Sequence, residues 1–157
     1  MQNYSVKDKS NLFPHNIWTC GDYNQNFNKF DFPNNTNREL SSTYHTVGNT
    51  SLKMSMITSG TAYYGEYRSF NDFNEVGRTV TFQADIYSNY SCNLRIYYYI
   101  KGYVANVVNI PTNTPGTYSI TISIPEDATP VLYRVEPRSY THEDAFVYTD
   151  NWVLTII

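Results

Sequence analysis

Along most of this chain apolar and polar side chains alternate with a period of two, and no segment of useful length carries the helical period. Successive side chains of a strand point to opposite faces, so this pattern splits each stretch into a core set and an outward set. In 79–87 the sets are Val80, Phe82, Ala84 and Ile86 against Thr81, Gln83, Asp85 and Tyr87. In 94–101 they are Leu94, Ile96, Tyr98 and Ile100 against Arg95, Tyr97, Tyr99 and Lys101. The residues 117–124 alternate through Tyr118, Ile120, Ile122 and Ile124, and 51–57 present Leu52, Met54 and Met56 on one side. Weaker strand signals cover 44–47, 62–70, 103–110, 131–139, 145–148 and 152–156. Turn residues separate these stretches: Val47-Gly48-Asn49-Thr50, Ser59-Gly60-Thr61, Ser88-Asn89-Tyr90-Ser91, the two-proline loop 111–116, and Pro125 to Pro130. Nine or ten strands punctuated roughly every 8–12 residues predict an all-β chain, a sandwich or jelly roll. The long polar stretch from Gly21 to Ser42 predicts a surface loop, with room for one short strand.

At 157 residues the chain fits one domain with a core large enough to need neither disulfides nor metal. The residues 1–10 are polar and aperiodic and read as a linker or disordered lead-in, with the domain at 11–157. The start has no apolar segment of the signal-peptide kind, and no apolar run approaches the ~18–20 residues of a bilayer span, so membrane insertion is not expected. The initial Met fits a domain cut from a longer exported protein. A net charge of -3 with no basic stripe argues against a nucleic-acid partner. Cys20 and Cys92 lack metal-type spacing; a disulfide between them and two buried thiols are both open.

Most of the sixteen tyrosines are expected to pack strands, and Tyr also suits recognition because a rigid ring with one hydroxyl offers contact area at little entropic cost. The outward set Arg95, Tyr97, Tyr99 and Lys101 places two rings between two cations, with Gln83 and Asp85, and Arg134, Glu136 and Arg138, on strands expected nearby. Flat rings beside charged and amide groups match a glycan, which offers apolar C–H patches ringed by hydroxyls. No constellation for catalysis stands out: His15, His45 and His142 are scattered, and neither cysteine has a neighbouring motif that marks a nucleophile.

The order of motifs resembles carbohydrate-binding modules of the galactose-binding-like, family four and nine type. The matching segments are Asn11-Leu12-Phe13 with Trp18; Gly48-Asn49-Thr50-Ser51-Leu52-Lys53; 76–88 from Val76-Gly77-Arg78; Gly116-Thr117-Tyr118; Ile124-Pro125-Glu126-Asp127-Ala128-Thr129; and Tyr148-Thr149-Asp150-Asn151-Trp152-Val153-Leu154. The resemblance covers 11–157 and implies a β-sandwich jelly roll of two antiparallel sheets with a glycan cleft. It also implies an aromatic platform at Tyr63 or Tyr64, where the family often has Trp, with Glu66 accepting hydrogen bonds from sugar hydroxyls. A structural calcium ion is implied too, with Asp150 as one ligand; His15-Asn16-Ile17 stands where the family's other acidic ligand is expected. Arg38-Glu39-Leu40 and Tyr99-Ile100-Lys101-Gly102-Tyr103 are faintly similar to motifs of jelly-roll alginate lyases, but the Gln-Ile/Val-His motif those enzymes need is missing.

The function expected from residues and resemblance together is a non-catalytic module that binds a poly- or oligosaccharide. Its ligand-binding residues would be Tyr63, Tyr64, Glu66, Gln83, Arg95, Tyr97, Tyr99, Arg134 and Glu136. It would act extracellularly, at a cell surface or on a virion, as part of a larger protein. The alternative is a structural or adhesive sandwich with no sugar site.

Overall fold

The computed structural model describes residues 30–31, 36–56, 65–69, 75–129, 131–137 and 144–157. Ten strands occur in the order β1 (Phe30–Asp31), β2 (Thr36–Ser41), β3 (Ser51–Met56), β4 (Gly65–Ser69), β5 (Thr79–Ser88), β6 (Cys92–Tyr99), β7 (Tyr103–Ile110), β8 (Gly116–Ser123), β9 (Val131–Pro137) and β10 (Phe146–Ile156). They form two five-stranded antiparallel sheets, β1-β4-β9-β6-β7 and β2-β3-β10-β5-β8. Among the described residues only β2–β3 and β6–β7 pair with their immediate successors, so most connections cross from one sheet to the other. The all-β jelly-roll sandwich expected from the alternation is the fold observed.

The core sets read from the alternation meet between the sheets. Val80, Phe82, Ala84 and Ile86 of β5 and Leu94 and Ile96 of β6 have no accessible surface, and Tyr98 and Ile100 pack against the same cluster. Phe82 joins the two layers: its ring centroid lies 5.0 Å from Trp152 in its own sheet and 5.5 Å from Tyr133 in the other. Full burial of a ring of this size contributes about 1.5–3 kcal/mol. Cys92 is a free thiol at the end of this core, and burial pushes its pKa up to about 12, so it remains protonated and packs as a small apolar group. Cys20 and the lead-in 1–10 lie outside the described residues.

Several expectations need correction. The stretch 44–47 is not a strand but part of a loop over 42–50. The backbone N–H groups of Thr46 and Val47 donate to the Asp150 carboxylate at 2.9 Å each instead of to a neighbouring strand. The polar stretch before it ends in a full strand, β2, whose six residues pair in register with β3. The two short terminal strands are one strand, β10, whose register with β5 shifts between Asp150 and Val153, where Asn151 takes φ 50°. An extra residue of this kind bends a strand without ending it.

The 42–50 loop is held on the outer face of the second sheet by aromatic packing. Tyr87 and Tyr148 stack at 5.9 Å and 9°, and Tyr44 leans on both at 5.4 and 5.8 Å. Lys53 completes the cluster, its Nζ 5.5 Å from the Phe146 ring centre.

Candidate glycan-binding face

The outward face of the first sheet carries the residues from which a site can be built. Antiparallel register sets Tyr97 of β6 beside Ala105 of β7 and Leu132 of β9, and sets Arg95 beside Val107 and Arg134. The next row holds Asn109, Asn93 and Glu136. Tyr99 pairs with Tyr103 across the turn Ile100-Lys101-Gly102, in which the Ile100 N–H donates to the Gly102 carbonyl at 2.9 Å. Lys101 and Gly102 both adopt positive φ, 52° and 149°, and the second value favours a residue without Cβ.

Hydrogen bonds fix the middle of this face. The Tyr97 hydroxyl accepts from Arg95 Nη1 at 2.7 Å and donates to Glu136 Oε2 at 3.2 Å. Arg134 Nη1 donates to the same Glu136 oxygen at 2.8 Å, and Arg95 Nη1 lies 3.5 Å from Glu136 Oε1. The Asn93 carboxamide is assigned the orientation that satisfies its neighbours, accepting from Arg95 Nη2 and donating to Asn109 Oδ1, each at 2.8 Å. The side chains of Arg95, Arg134 and Glu136 are only 17–19% exposed, so these charge-assisted bonds are partly shielded from water.

Beside this network the face opens into a pocket of about 180 Å³ lined by Tyr97, Tyr103, Leu132 and Arg134. That is smaller than the ~300–1,000 Å³ of sites that engulf a drug-sized ligand, and suits one ring of a longer chain lying on the surface. Tyr97 is one of its lining rings. The Arg134 guanidinium carbon sits 4.8 Å and that of Arg95 5.8 Å from its ring centre, so cations share its faces. Tyr103 stands edge-on to Tyr97 at 6.4 Å and 89°, and to Tyr99 at 5.2 Å and 75°. At 59% and 43% exposure, Tyr103 and Tyr99 are the rings that offer open surface.

The structure thus brings together Arg95, Tyr97, Tyr99, Arg134 and Glu136. It does not bring Gln83 to them. Gln83 lies on β5 of the other sheet, paired with Ser119 and Val153, and its outward direction is the opposite side of the sandwich. Asp85 is on that far side as well. Glu66 falls by register in the row of Arg134 and Arg95, while Tyr63, Tyr64 and Arg138 lie outside the described residues. Two lining residues escaped the sequence reading. Tyr103 was signalled by the short turn that sets it opposite Tyr99; Leu132 carried no signal beyond sharing a face with Arg134 and Glu136.

The expected calcium ligand has a different occupation. Asp150 is buried, and its oxygens accept three backbone N–H groups, from Thr46, Val47 and Asn151, each at 2.9 Å. Its neighbour Asp85, directly opposite on β5, accepts from the hydroxyls of Thr46 and Thr117. Carboxylate lone pairs facing N–H hydrogens are poorly placed for a cation that needs six to eight oxygens. Among the described residues no group of three His, Cys, Asp or Glu could hold a metal ion; His15 and Asn16 lie outside them. Burial pushes the Asp150 carboxyl above its usual 3.8, outweighing the opposite effect of its hydrogen bonds.

The far-side aromatic cluster is not a comparable platform, because Tyr148 is only 5% exposed and its ring is spent on packing.

No family model and no curated protein matches the sequence. Solved structures do match the fold. The C-terminal family 22 carbohydrate binding module of Clostridium thermocellum Xyn10B is 15% identical, with 82% of this chain and 85% of that one covered and a TM-score of 0.64. A xylan-binding domain of carbohydrate-binding family 22 is 14% identical over 95% of this chain and 97% of its own, with a TM-score of 0.65. The enzymatically active domain of tailspike protein 4 of bacteriophage CBA120 is 16% identical over 82% of this chain but only 19% of its own, with a TM-score of 0.59. Identities this low concern the fold alone. The chain therefore has the jelly-roll architecture of carbohydrate-binding modules, and family 22 and family 16 modules are among its structural neighbours.

Proposed function

We propose that this chain is a non-catalytic carbohydrate-binding module whose ligand is a poly- or oligosaccharide lying across β7, β6 and β9. The observation that carries the reading is the pocket of Tyr97, Tyr103, Leu132 and Arg134, where an open aromatic ring stands beside a rigidly held cation. A sugar ring stacked on Tyr103 would find Arg134 and Glu136 within reach of its hydroxyls. Xylan is the first ligand to test, since a neighbour of the same fold is named for binding it. Neighbours that are parts of larger proteins, a C-terminal module of Xyn10B, a module joined to a xylanase and a domain of a bacteriophage tailspike protein, support a place within a larger protein.

A structural or adhesive role without sugar is the second reading. It is favoured by the Arg134 guanidinium over the Tyr97 ring, which occupies a face that a sugar would otherwise use. Affinity electrophoresis on xylan and other soluble polysaccharides separates the two. Retardation that Tyr103→Ala abolishes supports the glycan site; no retardation by any polysaccharide supports the structural role.

A further inference from the structure

The four edge strands of the sandwich are not alike. On one side β1 carries Asp31 and β2 carries Arg38 and Glu39. On the other side β7 (Tyr-Val-Ala-Asn-Val-Val-Asn-Ile) and β8 (Gly-Thr-Tyr-Ser-Ile-Thr-Ile-Ser) carry no charge and no proline. Each pairs with its inner neighbour over eight consecutive residues without a bulge. The two edges touch each other across the sandwich, so they form one continuous uncharged side. Among the described residues, no backbone group of either strand bonds outside its own sheet. Tyr103, Val104 and Val107 of β7 are 59%, 41% and 44% exposed. Proteins ordinarily guard such edges with charge, proline or bulges, because an open row of N–H and C=O groups pairs with any strand that arrives.

We propose that this side is a homodimer interface in which β7 pairs antiparallel with β7 of a second copy, with β8 meeting its counterpart beneath. A strand paired antiparallel with itself is self-complementary about a two-fold axis, so every hydrogen bond is made twice and no new surface needs to evolve. Identical copies usually repel through like charges set opposite one another, and here there are none. An axis normal to the sheets serves both edges together. It also leaves the pocket-bearing faces of the two copies on the same side of one ten-stranded sheet. Eight residues span about 27 Å and the sheets lie ~10 Å apart. Such a contact covers roughly 400 Å² per copy, about half of the ~800 Å² per partner of a standard-size interface. The association is therefore weak and reversible, visible only as concentration rises. This inference does not rest on the glycan reading.

Sedimentation velocity on the full chain, over about a hundredfold range into the high micromolar, tests it. The weight-average mass is expected to rise from 18.2 kDa towards twice that value. Val107→Lys on β7 and Thr121→Lys on β8 are expected to weaken association by at least about tenfold each, because both put like charges across the axis. Circular dichroism checks that each variant keeps its β signal, and Asn109→Lys, also exposed on β7, replaces either one that does not. A mass that stays at 18.2 kDa throughout overturns the proposal, as does association that is undiminished in both charged variants.

Discussion

Arg134 places its guanidinium carbon 4.8 Å from the centre of the Tyr97 ring while its Nη1 holds Glu136 at 2.8 Å. One cation thus holds both a ring that lines the pocket and the Glu136 carboxylate. Tyr97 is a structural member of the face more than a free stacking surface, and the open aromatic role passes to Tyr103.

Tyr97→Phe keeps the ring and removes the hydroxyl that links Arg95 to Glu136. A partly exposed bond of this type contributes about 0.5–1.5 kcal/mol. Urea denaturation is expected to show a loss near 1 kcal/mol, with an unchanged slope; a loss below measurement would mean the network is not coupled to folding.

Tyr103→Ala removes an exposed ring together with its edge-on contacts to Tyr99 and Tyr97, so stability should fall by about 0.5–1.5 kcal/mol in urea denaturation. Stacking beyond area burial contributes about 0.5–1.5 kcal/mol, so glycan affinity should fall roughly threefold to tenfold in titration calorimetry. An unchanged affinity beside a loss of stability would instead mark Tyr103 as a packing residue.

Thr149 is fully buried on β10, and its hydroxyl oxygen has no partner. Val has nearly the same shape and no polar atom to bury. Thr149→Val is expected to stabilise the chain by about 1 kcal/mol, raising the melting temperature by a few degrees. A lower melting temperature would show that the hydroxyl is satisfied in solution.

The folded-state pKa of Asp150 is raised, so its contribution to stability is fully present below about 3.8 and is lost as pH rises through the raised value. Asp150→Asn cannot titrate, and it sets an amide against N–H donors, costing about 1–3 kcal/mol. The gap between wild type and this variant is expected to widen from pH 7 to pH 4. A gap that narrows on acidification would mean that the three backbone N–H donors outweigh burial.

Because Asp150 anchors the 42–50 loop through N–H groups, calcium removal is expected to leave the chain unchanged. Melting with and without EGTA checks this, and a drop of several degrees on chelation would mean that a calcium site forms with residues of the opening segment.

The sequence by itself determined the class of fold and much of the core. Alternation is a local property, since neighbouring side chains of a strand must point to opposite faces wherever the strand lies. The buried faces of β5 and β6, from Val80 to Ile86 and from Leu94 to Ile96, were legible for that reason. Alternation does not say which way outward is. Gln83 and Tyr97 are both outward positions of well-patterned strands, yet they face opposite sides of the sandwich. Sheet membership depends on which strands pair after the chain has crossed between layers, and those pairings are made by residues far apart in sequence. The same holds for Asp150, two of whose three backbone partners lie over a hundred positions earlier. The tertiary structure alone therefore separated Gln83 from Arg95, Tyr97, Arg134 and Glu136, added Tyr103 and Leu132 to their face, and set β7 and β8 side by side as an uncharged edge.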